Sequence, residues 1–384
     1  MFNKELIEKL REIKTPFYYY NLDLLKDTLK QVSIEADKYK YHVHYALKAN
    51  SNVEILHIIR SFGLGADCVS GNEVKRALEC GFSNKQIAFA GVGKTDDEIH
   101  IGLENDIFSF NCESIQEMEV INQLAKHSNK IANIAIRINP NVEANTHKYI
   151  TTGTSDNKFG INLSDLNTVL DSIKQLKNIN LIGLHFHIGS QITDLNVFKN
   201  LAEKVNEIQQ QVISKGFSLP TLNLGGGLGI DYYNPEVNTV APFRDFFETI
   251  HTYLKPLKNQ KVHFELGRAL VAQCGFLITK VLYTKLNGQT NFAIVDAGFT
   301  ELIRPALYNS YHKIENLDNN SDFSDYDVVG PICESSDFFG KQISLGKAER
   351  GNLLAIYSTG AYGQIMSSQY NLRNLVQTVY SDHI

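Results

Sequence analysis

Polar side chains that could carry out catalysis stand at the ends of short β-like runs in this 384-residue sequence. If those runs form a parallel barrel, their carboxyl ends meet at one face, which is where barrel enzymes hold their active sites. A random scatter of polar residues would not collect in this way, so we expect one catalytic centre at that face. The residues concerned are Lys48, Asp67, Arg137, His187, Gly225, Gly226, Gly227, Glu265 and Arg268.

Lys48 is the candidate for covalent chemistry. It stands in YALKANSN, directly after an apolar run. Most lysines are solvated loop residues, but at the mouth of a barrel burial and neighbouring cations would lower the pKa of the amine, as an imine-forming lysine requires. We therefore treat Lys48 as a candidate nucleophile.

The glycine run Gly225–Gly229, GGGLG, has two interpretations. It could be a tight turn, or its backbone N–H groups could wrap a phosphate, which barrels often bind after strands seven and eight. A dinucleotide fold is disfavoured, since no acidic residue follows at the end of a next strand. Glu265 and Arg268, in ELGR, could form a surface ion pair or could serve opposite ends of a phosphorylated pyridine.

Two other motifs are interpreted as structural. His185 and His187 share one face of a strand, as in metal-dependent barrel hydrolases, but three further ligands would be needed. We favour one histidine packed in the barrel and one that meets a ligand ring, and we expect no metal. Gly91–Thr95, GVGKT, resembles the end of a phosphate-loop motif, yet Ala88 stands where the first glycine would fall, so we expect a plain turn.

Eight β-like runs alternate with amphipathic helical segments, which is the signature of a (β/α)8 TIM-type barrel. An open, doubly wound sheet is the competing interpretation, and the number of units favours closure. The runs are Val43–Ala46, Gly63–Cys68, Ile87–Phe89, Ile107–Phe110, Ile134–Ile138, Leu181–His187, Thr221–Leu224 and Val262–Glu265. The helical segments include Val53–Arg60, Gly71–Cys80, Ser114–Ala125, Leu163–Leu176, Asn196–Lys215 and Phe243–Leu257.

After Glu265 the pattern changes to β-like segments separated by Gly, Asn and Asp turns. We expect residues 22–267 to form the barrel, and residues 1–21 with 268–384 to form a mostly β domain that the N-terminal strand Pro16–Tyr20 joins. The C-terminal segments are Gly275–Leu286, Asn291–Val295, Tyr326–Val329, Asn352–Tyr357 and Leu375–Tyr380.

Composition narrows the class of protein. Hydrophobic residues make up 43% and charged residues 21%, and the net charge of −5 argues against nucleic acid or an anionic membrane as a partner. The first residues, MFNKELIEKLREIK, show no apolar core of a secretory signal, and no run is long enough to span a membrane. Five cysteines without a CxxC pair favour a reducing cytoplasm, without disulfides or structural zinc.

The ordered motifs of the chain resemble those of the diaminopimelate decarboxylases. This family belongs to a group of pyridoxal-phosphate enzymes with a barrel and a β domain, which includes ornithine and arginine decarboxylases and alanine racemases. The match extends from about Thr15 to Tyr370, and Leu266 stands where the family usually has proline. The motifs are YALKANSN, GADCVSGNE, HFHIGSQ, NLGGGLGI, ELGR, RPALY, GPICESSD and GAYG.

The resemblance implies that pyridoxal 5'-phosphate binds in the barrel. Lys48 would hold the cofactor covalently, His187 would stack on its ring, and Glu265 would keep its pyridine nitrogen protonated. A carboxylate at this nitrogen favours decarboxylation, whereas alanine racemases place an arginine there. The other residues implied at the cofactor are Asp67, Ser190, Gly225, Gly226, Gly227, Gly267, Arg268 and Tyr362.

The resemblance also implies decarboxylation of meso-2,6-diaminopimelate to L-lysine and CO2, the last step of lysine biosynthesis, by a homodimer with shared active sites. Cys333 would donate a proton to the reacting carbon and Glu334 would bind the distal ammonium, both from the other subunit. The segment His147–Gly160 would lie over the site. The residues implied at the distal carboxylate are Arg268, Arg304 and Tyr308, with Tyr362 nearby.

Alternative functions stay open at this point. A decarboxylase of the same fold could act on carboxynorspermidine, ornithine or arginine. Arg304 is the main reason to choose diaminopimelate, because ornithine has no second carboxylate for an arginine to bind. A regulatory homologue without activity would be expected to have lost Lys48, Glu265 or Cys333, and all three are present.

Overall fold

The computed structural model describes residues 2–142 and 158–384, which form two compact units. The barrel unit contains Leu29–Gly229 and Pro242–Gly267, and the β unit contains residues 1–28, Ile230–Ala241 and Arg268–Ile384. The main difference from the division that we expected is Ile230–Ala241. This segment interrupts the barrel in sequence but packs with the β unit.

Eight parallel strands close into a ring in the barrel unit. Strand one, His42–Ala46, pairs with strand two, Gly65–Cys68, and also with strand eight, Lys261–Leu266. This closure excludes the open doubly wound sheet and confirms the (β/α)8 barrel. Strands three to seven are Ile87–Phe89, Ser109–Cys112, Ala132–Asn139, Ile179–His185 and Thr221–Asn223, and a short strand, Ile161–Asn162, pairs with the fifth.

The helices between the strands bury an apolar face against the barrel. In Leu195–Ser214, Leu201, Val205 and Val212 recur at helical spacing and are buried, and the side chain of Asp194 caps the first turn. The other helices are Leu22–Asp37, which begins in the β unit, Val53–Ser61, Gly71–Glu79, Asp96–Glu104, Ile115–His127, Leu166–Ile173 and Phe243–Tyr253.

The structure corrects the expected bounds of several strands; strand two, for example, begins at Gly65 rather than Gly63. Strand six ends at His185 rather than His187, because the chain then turns to follow the loop after strand seven. Strand four begins at Ser109 rather than Ile107, and Asp106, directly before Ile107, takes a left-handed conformation with a φ of 48°. His187 therefore lies on a loop, two residues beyond the barrel wall.

Eight strands form the sheet of the β unit. Phe17–Tyr20 is fully buried and pairs antiparallel with the start of Gly275–Asn287 and parallel with Gln377–Tyr380, so the prediction that the N-terminal strand joins this domain is confirmed. The remaining strands are Thr290–Val295, Ile314–Asn316, Ser324–Val329, Phe338–Leu345 and Leu353–Ile356, and the helices are Lys4–Arg11, Arg268–Val271 and Arg304–Tyr308. Over 2–142 and 158–384, no helix has the length and apolarity that crossing a membrane requires.

Candidate active site

Lys48 lies at the carboxyl end of barrel strand one, in the short helical turn Leu47–Ala49. Its Nζ is 3.4 Å from Oδ2 of Asp67, which lies beside Ala46 in strand two and is buried. Burial and the Glu265 carboxylate raise the pKa of Asp67. One neighbour of Lys48 is therefore an acid, whereas the sequence suggested cations.

Glu265 lies in strand eight, within a polar layer buried inside the barrel. Its Oε1 accepts hydrogen bonds from the side-chain amides of Asn111, at 3.0 Å, and Asn223, at 2.7 Å. Its Oε2 lies 2.8 Å from Nε2 of His185. An ionised carboxylate offers about four acceptor positions, so these contacts leave room for one further donor.

The same contacts set the charge of Glu265. Burial by itself would raise its pKa, but the hydrogen-bonded His185 and the charge of Lys48 outweigh burial and hold the pKa of Glu265 below its ordinary value. Because an ionised carboxylate can only accept, Nε2 of His185 donates to it. The surface ion pair considered for ELGR is excluded, since Glu265 and Arg268 are both buried.

The glycine run after strand seven lies directly against neighbouring backbone. Gly225 has a φ of +67°, and a Cβ there would lie 2.1 Å from the carbonyl oxygen of Phe186. A Cβ on Gly226 would lie 2.0 Å from the carbonyl oxygen of Glu265. The N–H groups of Gly225 and Gly226 donate to Oδ1 of Asn223 and Nδ1 of His187. Both amides are thus engaged inside the barrel.

His187 is half-buried on the loop after strand six. Its Nδ1 accepts the N–H of Gly226 at 3.2 Å, so a neutral ring carries its proton on Nε2. Burial, Arg137 and Lys48 lower the pKa of His187 well below its ordinary value, which keeps the ring neutral. Ser190 follows on the same loop, and Gly267 is buried directly after strand eight.

Arg137, in strand five, forms a buried ion pair with Glu113. Its Nη1 lies 2.9 Å from Oε1 of Glu113, and Oε2 of Glu113 accepts the N–H of Gly160 at 2.9 Å. The guanidinium also lies 4.7 Å from the ring centroid of Phe159. These contacts attach the chain after residue 157 to the barrel; residues 147–157 of the segment predicted to cover the site lie outside the described residues.

The two histidines of the HxH pattern have other partners than a metal ion. His185 bonds Glu265 and His187 accepts a backbone N–H. In the described part of the chain, no group of three or more His, Cys, Asp or Glu side chains is arranged to hold a metal. In the GVGKT turn, the amine of Lys94 donates to the carbonyl oxygen of Gly91, which fits a plain turn.

Two buried arginines and three tyrosines form a cluster within the β unit. Nη1 of Arg268 donates to the hydroxyl of Tyr232 at 2.6 Å, and its guanidinium lies 4.9 Å from the ring of Tyr362. The guanidinium of Arg304 lies 5.6 Å from the ring of Tyr308 and 5.9 Å from that of Tyr362. Four residues that the resemblance implies are thus brought together, and Tyr232 joins them although no sequence pattern singles it out.

Arg304 is 6% exposed, which excludes the surface arginine that its sequence context also allowed. Its Nη2 makes a long hydrogen bond of 3.4 Å to Ser310, and within 2–142 and 158–384 its Nε has no hydrogen-bond partner. Burial lowers the pKa of Arg304 below its ordinary value. A buried guanidinium with an unsatisfied donor costs free energy unless an anion completes its surroundings, so this cluster suits a carboxylate.

Cys333 and Glu334 lie in an exposed loop of the β unit. The N–H of Cys333 donates to Oδ1 of Asn371 at 3.2 Å, and Oε1 of Glu334 accepts the hydroxyl of Tyr370 at 2.7 Å. Leu372, in the same segment, is 97% exposed. These hydrogen bonds attach the two predicted residues to the segment around Tyr370 rather than to the arginine cluster.

The polar residues that contact Glu265 and Arg137 could have been predicted from the sequence, because, like Asp67, they stand at or directly after the ends of barrel strands. Asn111 and Asn223 stand at the ends of strands four and seven, and Glu113 directly follows strand four. Tyr232 carries no such signal, since it lies in an irregular segment between a strand and a helix.

Comparisons with known proteins identify the family. Residues 23–272 match the pyridoxal binding domain of the pyridoxal-dependent decarboxylases. A diaminopimelate decarboxylase from Bacteroides thetaiotaomicron is 54% identical over 379 residues, which cover 98% of both chains. Crystal structures of diaminopimelate decarboxylases with L-lysine, from Helicobacter pylori and M. jannaschii, both give TM-scores of 0.90, at 40% and 34% identity, and cover 98% of this chain and 94% and 90% of theirs. The closed barrel, the β unit and these similarities together show that the chain belongs to the diaminopimelate decarboxylase family.

Proposed function

We propose that this chain removes one carboxylate of meso-2,6-diaminopimelate to give L-lysine and CO2, the last step of lysine biosynthesis. The observation that carries the proposal is Arg304, a buried guanidinium with an unsatisfied donor, in one cluster with Arg268. Such a cluster suits the second carboxylate of a diamino diacid, and ornithine and arginine have none. The relatives are named diaminopimelate decarboxylases, and two of their structures contain L-lysine.

The cofactor of this family is pyridoxal 5'-phosphate, and groups of the barrel fit it. Bound with its ring nitrogen protonated, it accepts the electron pair that remains when CO2 departs. The remaining acceptor position of buried Glu265 suits that nitrogen, and the neutral ring of His187 suits stacking. We assign the covalent link to Lys48 and the remaining cofactor contacts to Asp67, Ser190, Gly225, Gly226, Gly227, Gly267, Arg268 and Tyr362. Because Gly225 and Gly226 already donate within the barrel, we expect Gly227 to be the glycine whose N–H meets the phosphate.

Cys333 and Glu334 are assigned to the active site of a partner subunit. Both side chains are exposed, and the neighbouring Leu372 presents a large apolar side chain to solvent, as a subunit interface would. Cys333 would protonate the reacting carbon and Glu334 would bind the distal ammonium. We therefore infer an obligate homodimer with two shared sites.

These assignments give the barrel and the β domain different functions. We propose that residues 22–267, apart from the segment Ile230–Ala241 that packs with the β unit, form the cofactor-binding barrel, and that residues 1–21 with 268–384 contribute to the active site and the dimer. The five cysteines, Cys68, Cys80, Cys112, Cys274 and Cys333, are all free thiols, which supports a reducing cytoplasm as the location.

The experiment that tests the function is product identification. The purified enzyme, loaded with pyridoxal 5'-phosphate, is given meso-diaminopimelate, ornithine, arginine or carboxynorspermidine in separate reactions. We expect CO2 and L-lysine in equal amounts from diaminopimelate, and slow or no turnover of the others. Faster turnover of carboxynorspermidine or ornithine would replace the proposal by its alternative.

Glu265→Gln is expected to keep the cofactor bound but to slow decarboxylation strongly. A neutral amide cannot stabilise a protonated pyridine as a carboxylate does. Each pK unit of lost stabilisation corresponds to about 1.4 kcal/mol, or roughly tenfold in rate. The measurements are the visible spectrum of the bound cofactor and single-turnover kinetics. Turnover near that of the unchanged enzyme would show that Glu265 does not partner the ring nitrogen.

Mixing two inactive variants tests the shared sites. Lys48→Ala and Cys333→Ala are each expected to be inactive, whereas a mixed dimer has one site with both residues intact. If subunits exchange at random from equal amounts, about a quarter of the unchanged activity should return. Native mass spectrometry would establish exchange, and no recovery after proven exchange would contradict the shared site.

A further inference from the structure

Tyr232 belongs to the cluster of Arg268, Arg304 and their neighbouring tyrosines. It lies in Ile230–Ala241, the segment that interrupts the barrel in sequence and packs with the β unit. Its buried hydroxyl accepts a hydrogen bond of 2.6 Å from Nη1 of Arg268. Its ring meets the ring of His312 nearly at right angles, with the centroids 5.1 Å apart. The tyrosine therefore has a guanidinium at its oxygen and an imidazole at its ring, which together restrict its orientation.

His312 adds no charge to this arrangement. Its Nδ1 lies 2.9 Å from the carbonyl oxygen of Tyr357, which can only accept, so Nδ1 carries the proton. Burial and the positive charge of Arg304 lower the pKa of His312 to about 3. The imidazole is therefore neutral, and the charges that act on Tyr232 come from Arg268 and Arg304.

We propose that Tyr232 is a positioning residue for the distal carboxylate: it orients the Arg268 guanidinium, and its ionisation sets the anion affinity of the Arg268–Arg304 pair. As a phenol, Tyr232 holds Arg268 through one hydrogen bond and leaves both positive charges available to the substrate. As a phenolate, it would neutralise one of them. This role rests on the proposed function, in which these arginines bind the second carboxylate.

The electrostatics agree with this geometry. Burial by itself would raise the pKa of Tyr232, but Arg268 and Arg304 outweigh burial and hold the pKa below the ordinary value for tyrosine. By contrast, burial raises the pKa of Tyr41 above the ordinary value for tyrosine. Besides the two arginines and His312, the titratable groups that act on the cluster within the described part of the chain include the phenols of Tyr308, Tyr362 and Tyr18.

The charge of Tyr232 determines how the KM for diaminopimelate depends on pH. Below the Tyr232 pKa the cluster carries two positive charges and binds the distal carboxylate of the substrate well. As the pH rises through that pKa, the phenolate competes with the carboxylate for Arg268, and the KM for diaminopimelate should increase. The rate at saturating substrate should change little, because Tyr232 acts through Arg268 and not on the reacting atoms.

Tyr232→Phe tests the proposal, with Tyr233→Phe as the matched control. Tyr232→Phe removes one oxygen and keeps the ring that packs on His312, whereas Tyr233 is the next residue and is 67% exposed. Loss of a hydrogen bond to a charged group should raise the KM for diaminopimelate roughly ten- to a hundredfold, with kcat and the visible spectrum of the cofactor nearly unchanged. The alkaline rise in KM should disappear in Tyr232→Phe and persist in Tyr233→Phe.

An ultraviolet pH titration separates this inference from the proposed function, because it needs no substrate. The unchanged protein should show tyrosinate absorbance at a lower pH than is usual for tyrosine, and Tyr232→Phe should lose that component. If diaminopimelate is not turned over, the proposed function fails while the titration still decides the charge of Tyr232. An unchanged KM and an unchanged titration in Tyr232→Phe would overturn the inference. If Tyr232→Phe does not fold, the ultraviolet titration and the pH profile of the KM, both measured on the unchanged enzyme, decide the question.

Discussion

Lys48→Ala is expected to give a folded chain with no decarboxylase activity and no visible absorption from bound cofactor. The side chain leaves the carboxyl end of barrel strand one beside the buried acid Asp67, and alanine offers no amine for a covalent bond. The measurements are the visible spectrum after incubation with pyridoxal 5'-phosphate and CO2 release from diaminopimelate. Cofactor absorption that persists unchanged in Lys48→Ala would show that another lysine carries the link.

Lys48→Arg separates the covalent role from the charge. Removing the positive charge would raise the pKa of Asp67 further, because Lys48 is one of the groups that oppose its burial. Arginine keeps a cation at this position but does not form the same link. We therefore expect Lys48→Arg to be as inactive as Lys48→Ala while unfolding at a temperature closer to that of the unchanged enzyme.

Arg304→Ala is expected to leave the cofactor spectrum intact and to reduce turnover of meso-diaminopimelate by a large factor. Losing a charged hydrogen-bond partner in a desolvated site costs on the order of 2–5 kcal/mol, or roughly thirty- to several thousandfold in kcat/KM. Weak side activity on lysine or ornithine, which lack the second carboxylate, should fall far less. The measurement is kcat/KM on each substrate.

Arg304→Lys is the matched control for this prediction. Lysine keeps the charge but loses the planar fork that binds a carboxylate through two parallel hydrogen bonds. We expect an intermediate loss on diaminopimelate and again little change on ornithine. An equal loss on both classes of substrate would make Arg304 a structural residue and would remove the main support for diaminopimelate over a simpler diamino acid.

The barrel could be predicted from the sequence because its strands are short, apolar and separated by amphipathic helices. The predicted ends of the strands were wrong where backbone hydrogen bonding, and not side-chain polarity, determines the end of a strand, as at His187. In the β unit, Phe338–Leu345 has no clear apolar alternation, and it is a strand because it pairs with Ser324–Val329. Such pairing is a tertiary effect that overrides local preference. Asp96–Glu104 was within reach, since Thr95 and Glu98 form a reciprocal cap at its start.

The residues of the candidate site also differ in whether the sequence alone predicts them. Lys48 and Glu265 were found because they stand at the ends of predicted strands, where a barrel collects its functional groups. The roles of Cys333 and Glu334 came from the resemblance alone, since an exposed loop offers no pattern of its own. Tyr232 depends on a segment that leaves the barrel sequence to pack with the other unit, and no local signal announces such a change of partner.

The pairing of the N-terminal strand has a consequence for biosynthesis. Phe17 lies opposite Gln377, so the strand Phe17–Tyr20 lacks one of its two neighbours until residues 377–380 have been made. At a synthesis rate of about 5–20 residues per second, that wait lasts roughly 20–70 s. During it, an aromatic segment that is fully buried in the finished protein has an unpaired edge open to other chains. Phe17–Tyr20 is therefore paired on both edges only after the intervening residues have been made, and the nascent chain is exposed to aggregation at this strand until then.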